Sequence, residues 1–336
     1  MISVTNLTKT FQTLNRKPGF IGGIQNLFSN DYKSVEAVSD ISFAIDRGEV
    51  VGYIGPNGAG KSTTIKMLTG ILHPTAGEVL VDGFVPQQER VRNSMQIGVV
   101  FGQRSQLLWD IPPRDSFDLM RKMYTIPRER YERNLGRFIE LLEMGDFLDR
   151  PVRQLSLGQR MRCELVASLL HDPKVLYLDE PTIGLDVVAK ERIREFIQSL
   201  NHERQTTVIL TTHDIDDIER LCRRVLIIDK GKLIYDGALA EIKRRFGRRR
   251  QLTFSLAEGA PADGMDAAIG AIGSGIEVQR DNDGAIQVGF DPQVVDATTL
   301  TRHIVNSYPV SDLAVAEADL EAIIRAIYQR GHTNDE

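Results

Sequence analysis

Val50-Val51-Gly52-Tyr53-Ile54-Gly55-Pro56-Asn57-Gly58-Ala59-Gly60-Lys61-Ser62-Thr63 is the stretch from which the rest of the chain can be read. Residues 50–54 form a short apolar run typical of a strand, and Lys61 to Ile71 follows a helical pattern. Between them, Gly55 to Thr63 fits G-x-x-x-x-G-K-[ST] at every fixed position. Its glycines let backbone N–H groups close around phosphate oxygens, and the N-terminus of the following helix adds positive potential. Lys61 is placed to reach the β- and γ-phosphates, and Ser62 to ligate Mg²⁺ through its hydroxyl. A strand before the loop and a helix after it make a chance Gly-rich turn a poor account.

Further strands follow. Val175-Leu176-Tyr177-Leu178 is apolar at every position, as expected of a parallel strand buried on both faces. Thr207-Val208-Ile209-Leu210 is another. Short β-branched runs alternating with longer helical patterns predict an α/β fold with a mostly parallel sheet covered by helices. Gly77–Gly83 and Arg224–Gly237 read as hairpins, with Asp82-Gly83 and Lys230-Gly231 as turns. Between Pro112 and Asp172 helical periodicity takes over (Phe138, Leu141, Leu142, then Leu165, Leu169), which predicts an inserted helical subdomain over about 105–172. Asp179 and Glu180 end the strand 175–178 at the carboxyl edge of the sheet, where open α/β folds bind ligands. One carboxylate there suits Mg²⁺, and its neighbour suits orienting an attacking water. The strand 208–210 runs into Thr211-Thr212-His213, which makes His213 a candidate γ-phosphate sensor.

The length of 336 residues suggests two or three domains. With 42% apolar residues the chain can bury a sizeable core, and its net charge of −5 argues against a nucleic-acid coat. No apolar run reaches the ~18 residues of a membrane helix, and the first residues do not read as a signal peptide. Cys163 and Cys222 suit packed thiols in a reducing compartment. Asp214, Asp216, Asp217 and Glu219 crowd the first turns of a helix, where complementarity to the helix dipole accounts for them. The segment Asn15 to Asp31 places Phe20, Ile24, Leu27 and Phe28 on one helical face, beside Gly19, Gly22 and Gly23 and flanked by Arg16, Lys17 and Lys33. It reads either as a loop docked on the protein's own body or as an amphipathic element facing a membrane or membrane partner. The basic run Lys243 to Arg250 reads as a solvated helix end and linker rather than a lipid contact. After it the order is β-α-β-β-α-β, a ferredoxin-like α+β unit, and then a helix, Asp319–Gln329, with Leu320, Ile323, Ile324 and Ile327 on one stripe. The expected domains are therefore 1–246 and 247–336.

One further motif gives these pieces a family. Leu155-Ser156-Leu157-Gly158-Gln159 stands just upstream of the Asp179-Glu180 strand and is similar to an LSGGQ signature, with Leu157 in place of the first glycine. Asp179-Glu180-Pro181-Thr182 with Gly184-Leu185-Asp186 is similar to a Walker B motif and D-loop, Gln103 to a Q-loop glutamine, His213 to an H-loop histidine, and Phe11 to the aromatic that stacks on adenine. Over about residues 1–240 the chain resembles the ATPase subunit of an ATP-binding cassette (ABC) transporter. The resemblance implies a P-loop NTPase cassette with a mostly parallel core sheet, an antiparallel β subdomain and a helical subdomain. It implies ATP hydrolysis between two facing subunits, expected to be two copies of this chain: ATP would be held by Phe11, Gly55, Pro56, Asn57, Gly58, Ala59, Gly60, Lys61, Ser62, Thr63 and Gln103 of one copy and by Ser156, Gly158, Gln159 and Asp186 of the other. By the same resemblance Glu180 is the general base or water-positioner, His213 and Lys61 stabilise γ-phosphate charge, and Asp179, Ser62 and Gln103 hold Mg²⁺. Gln103 also links the site to the helical subdomain, the part that contacts a permease.

The stretch Val100 to Asp110, the early insertion and Asp319 to Ile324 are similar to a branch of bacterial drug or viologen-type exporters that work with separately encoded membrane subunits. That implies a cytoplasmic protein, peripheral on the inner face of the cell membrane. Two other readings stay open: the ATPase of an importer, and a soluble ABC ATPase without a transport role. One phosphate loop and no sustained heptad speak against the soluble translation and chromosome types. The presence of Glu180, Lys61 and His213 speaks against a cassette that binds ATP without turnover. For the C-terminal unit a dimer brace is the expectation, ahead of a ligand sensor.

Overall fold

The structure, a computed structural model, describes residues 1–14, 32–102, 104–246, 250–257, 265–280, 285–317, 320, 321, 323, 324 and 327. The insertion Asn15–Asp31 and Gln103 lie outside the described residues. The chain forms two compact units, Met1–Gly237 and Ala238–Glu336.

In the first unit the elements are β1 (Ile2–Leu14), β2 (Tyr32–Ile45), β3 (Val50–Ile54), α1 (Lys61–Leu68), β4 (Ala76–Val81), α2 (Arg90–Ser94), β5 (Ile97–Phe101), α3 (Pro113–Met123), α4 (Arg128–Leu141), α5 (Leu157–Leu169), β6 (Val175–Asp179), α6 (Val187–Arg204), β7 (Thr207–Thr211), α7 (Ile215–Leu221), β8 (Arg224–Asp229) and β9 (Lys232–Ala238). Six strands form one sheet in the order β5-β6-β7-β3-β8-β9, and the first five run parallel. Lys230 and Gly231, both at positive φ, join β8 to β9, and so short a turn can only join antiparallel strands. Val175, Leu176, Tyr177 and Leu178 have no exposed surface, because the middle of a parallel sheet is covered on both faces. A second, antiparallel sheet, β2-β1-β4, shares its core with the first: Ile2, Val4, Ile41 and Val79 pack in one cluster with Val51, Tyr53, Tyr177 and Leu226.

The expected hairpin at Gly77–Gly83 is a single strand. β4 pairs with β1, and the Asp82-Gly83 turn is closed only by the bridge Val81↔Phe84. Pro86 then removes an N–H that a returning strand would need. In the helical region Phe138 and Leu142 are buried but Leu141 is exposed, because α4 ends there and the stripe shifts by one residue. α5 lies directly on β5: a Cβ at Gly98 would stand 2.3 Å from the Ser168 carbonyl oxygen, so only glycine permits this approach. Cys163 and Cys222 are buried free thiols, and burial pushes Cys163 up to about 12.

The second unit contains α8 (Leu239–Phe246), β10 (Arg250–Leu256), α9 (Met265–Gly270), β11 (Glu277–Arg280), β12 (Ile286–Phe290), α10 (Ala297–Ser307) and β13 (Val310–Glu317). Its sheet runs β11-β12-β10-β13 with every neighbour antiparallel, which is the ferredoxin-like arrangement. Leu252, Phe254, Val288 and Phe290 point to one face and meet Ile269, Leu300 and Ile304 of the helices. Leu320, Ile323, Ile324 and Ile327 are buried, as their stripe predicts. The units part at Gly237, so α8 groups with the second unit rather than with residues 1–237. Among the described residues no helix is long and apolar enough to cross a membrane.

Candidate active site

The parallel order places the ends of β6 and β7 next to the loop that follows β3. Gly60 caps α1 at φ 107°, and a Cβ there would stand 2.4 Å from the Ala37 carbonyl oxygen of β2. The phosphate-loop motif thus needs its second fixed glycine for both backbone angle and space. Pro56, Asn57 and Gly58 form the exposed rim of the loop, whereas Gly55 and Ala59 are buried beneath it. The Lys61 amine is buried and donates to the carbonyl oxygens of Gly55 at 2.6 Å and Pro56 at 3.1 Å. Burial holds it below the ordinary lysine value, against the upward pull of the Glu180 and Asp179 carboxylates. Thr63 follows Ser62 in the first turn of α1.

The Ser62 hydroxyl donates to Asp179 Oδ2 at 3.2 Å, and the Thr211 hydroxyl donates to Oδ1 at 2.5 Å. Glu180 then turns out of the strand at φ 56°, a left-handed conformation costing a non-glycine residue roughly 1–3 kcal/mol. Its N–H donates to the Thr211 carbonyl at 2.9 Å, and its Oε1 lies 2.8 Å from His213 Nε2. An ionised carboxylate only accepts, so the imidazole proton in this contact is on Nε2. A cleft of about 300 Å³ opens beside the pair, lined also by Thr182, Lys190, Thr212 and Asp214.

Gly102 donates its N–H to the Asp179 carbonyl at 2.9 Å, and Arg104 pairs back to Phe101, so both sequence neighbours of Gln103 are fixed at this edge. Phe11 is partly exposed on β1 opposite Val35, two residues along β2 from the Ala37 that touches Gly60. Lys9 Nζ lies 5.2 Å from its ring centroid.

The signature segment is ordered within its own helix. Ser156 caps α5: its hydroxyl accepts the Gln159 N–H at 3.2 Å, and Gln159 Oε1 accepts the Ser156 N–H at 3.0 Å. Leu157, in the place of a signature glycine, reaches Gly184: its Cδ2 would stand 3.0 Å from a Cβ there. Gly158 lies beneath Ala189, and Asp186 caps α6 by accepting the Ala189 N–H at 2.8 Å. Among the described residues no hydrogen bond joins Ser156, Gly158 or Gln159 to Gly55–Thr63. One chain therefore brings together Lys61, Ser62, Asp179, Glu180 and His213, and keeps the signature apart.

Sequence reasoning missed two buried carboxylates. Asp217 has no exposed surface and accepts from Arg194 Nε at 2.6 Å, so dipole complementarity does not account for it. Burial works against the Arg194 charge, but the Asp217 hydrogen bond and the charges of Asp217 and Asp214 outweigh it and raise its pKa. Glu164 on α5 accepts from the Ser105 hydroxyl and from the Gln106 N–H, the latter at 3.0 Å, and burial pushes its carboxyl up against those bonds.

Residues 38–183 match the family model described as "ABC transporter". The ABC transporter ATP-binding protein NatA of Bacillus subtilis is 34% identical over 215 residues, 64% of this chain and 87% of its own length. A daunorubicin resistance ATP-binding protein of Streptomyces coeruleorubidus is 33% identical over 65% of this chain and 69% of its own. A methionine import ATP-binding protein of Listeria innocua is 31% identical over 65% and 66%. A solved dimeric ATP-binding cassette in a post-hydrolysis state with ADP and Pi superposes with a TM-score of 0.59 at 25% identity, covering 71% of this chain and 99% of that one. The fold, the phosphate loop beside a carboxylate-ended strand, and the match to NatA over most of its length agree: the chain belongs to the ABC transporter family and is an ATP-binding, ATP-hydrolysing cassette.

Proposed function

We propose that two copies of this chain hydrolyse ATP between them and thereby drive a separately encoded membrane permease that exports drugs or other small molecules. The Glu180–His213 pair, 2.8 Å apart beside Ser62 and Asp179, carries the catalytic part of this reading. Oε1 of Glu180 is held by the imidazole, which leaves Oε2 to accept a proton from water attacking the γ-phosphate. His213 keeps that carboxylate oriented, and Lys61 exchanges its backbone carbonyl partners for phosphate oxygens. Phe11 offers a ring to adenine at the border of the loop. Ser156, Gly158, Gln159 and Asp186 belong to the facing copy's share of the site, since one chain keeps its signature apart from its own phosphate loop.

Ser62 and Asp179 present one hydroxyl and one carboxylate side by side, a hard-oxygen set that fits Mg²⁺, which commonly takes one or two carboxylates and completes its shell with phosphate and water. When bound, the ion would neutralise phosphate charge. Export is supported by the likeness to the daunorubicin resistance protein, and the likeness to the methionine import protein supports the opposite direction.

The first test is Mg-ATP turnover by the purified chain and by Glu180→Gln, with size-exclusion elution recorded with and without ATP. Turnover should fall about a hundredfold or more, and the variant should elute as an ATP-dependent dimer. Wild-type turnover in Glu180→Gln would remove the assignment. Direction is read by co-expressing the chain with its permease and measuring daunorubicin accumulation: lower accumulation in cells with active cassette supports export, and unchanged accumulation removes daunorubicin-like cargo.

A further inference from the structure

Asp179 and Thr211 are register partners at the ends of β6 and β7. Just beyond them the two chains diverge, and Glu180 and His213 meet across the gap. The chain after Glu180 and the chain before His213 are tied to one buried atom. Thr182, two residues after Glu180, donates its hydroxyl to Asp217 Oδ2, and Thr212, directly before His213, donates to the same oxygen at 3.0 Å. The other oxygen, Oδ1, takes Arg194 Nε at 2.6 Å. Thr212 also accepts the Asp214 N–H at 3.0 Å, which closes the turn that carries His213. All four side chains are buried: Asp217 0%, Thr182 2%, Thr212 5% and Arg194 5% exposed.

A buried ion pair is weak evidence for stability, because an apolar replacement of similar shape often serves as well. What an apolar cluster cannot do is fix two hydroxyls on one acceptor. The left-handed turn at Glu180 also persists only if its surroundings determine it, and Thr182 supplies the downstream anchor that the Thr211 carbonyl supplies upstream. We propose that Asp217 is a positioning residue for ATP hydrolysis: it joins the segment after Glu180 to the segment before His213 and so sets the carboxylate against the imidazole. This rests on the role given above to the Glu180–His213 pair.

The test uses the full-length chain and the variants Thr182→Val and Thr212→Val, which remove one hydroxyl each and leave the Asp217–Arg194 pair intact. Asp217→Asn is read only beside them, because it takes the nearest carboxylate from the buried Arg194, leaving Glu191 and Asp214 at 3.5 Å, and can unfold the chain for that reason alone. Turnover, KM for ATP, thermal midpoint and the His213 imidazole resonance are measured on each, with His213→Gln assigning the resonance. Expected for both valine variants are a kcat about tenfold or more below wild type, KM within about twofold, a midpoint near wild type and a displaced His213 resonance. An unmoved resonance overturns the inference, as does a kcat loss fully matched by a lowered midpoint or weakened ATP binding. The resonance reports the geometry without turnover, so the test decides even where hydrolysis needs the permease. Glu180→Gln, run alongside, separates the failures: if it keeps wild-type turnover the role of the pair falls, whereas inert threonine variants with a dead Glu180→Gln overturn only the role of Asp217.

Discussion

His171 stacks on Tyr124 with ring centroids 4.1 Å apart, and its Nε2 lies 3.0 Å from the Ile97 carbonyl oxygen. The carbonyl accepts, so Nε2 carries the proton, while Nδ1 is buried with no hydrogen-bond partner, so a second proton there would find no acceptor. Burial lowers its pKa from 6.5, against the Ile97 bond and the Asp172 charge. The unfolded chain therefore holds more protons on this residue between 6.5 and the lower folded value, and stability rises with pH across that window. Urea midpoints should fall as the pH is taken from about 7.5 to about 5, and His171→Gln should flatten that slope. An unchanged slope would mean that other groups set the acid limit. His171 and Asp217 share a reason for being illegible in the sequence. Their partners, Ile97, and Thr182, Thr212 and Arg194, come from other elements, and an Asp in a first helical turn looks satisfied by the helix itself. Lys61, Ser62, Asp179 and Glu180 were legible because a loop and two strand ends carry their meaning in adjacent residues.

Two helices begin at residues proposed above for the facing copy's share of the site. α5 begins with a reciprocal cap between Ser156 and Gln159, and α6 begins with Asp186 accepting from Ala189. Ser156→Ala should cost about 1 kcal/mol in chemical denaturation, the usual worth of an N-cap. It should lower turnover as well if the hydroxyl reaches the facing copy's nucleotide. A stability loss without any turnover loss would leave Ser156 as a cap alone. The parallel strands were legible from uninterrupted apolar runs, and the βαββαβ unit from its alternation. Gly77–Gly83 reads as a hairpin, yet β4 pairs with β1, because a turn signal shows where a chain reverses and not which strand it pairs with. The signature leucine could be seen as a departure, but its contact with Gly184 depends on packing between α5 and the turn before α6.

Each of the two units has its own core. Tyr53, Tyr177 and Leu226 belong to one cluster, and Phe254, Val288 and Phe290 to the other. Calorimetry should therefore resolve two transitions, with ATP raising only the one belonging to residues 1–237. Phe290→Ala should destabilise the other by about 3–5 kcal/mol and leave ATP affinity unchanged. A single transition displaced as a whole by either change would show that the units unfold together. The approach of α5 to β5 at Gly98 has a mechanical consequence. No side chain lies between the strand and the Ser168 carbonyl, and Glu164 of the same helix grips Ser105 and Gln106 just past the end of β5. Strand, exit loop and helix are thus clasped at the strand's middle and again just past its end, and any side chain added at position 98 would prise the first clasp open.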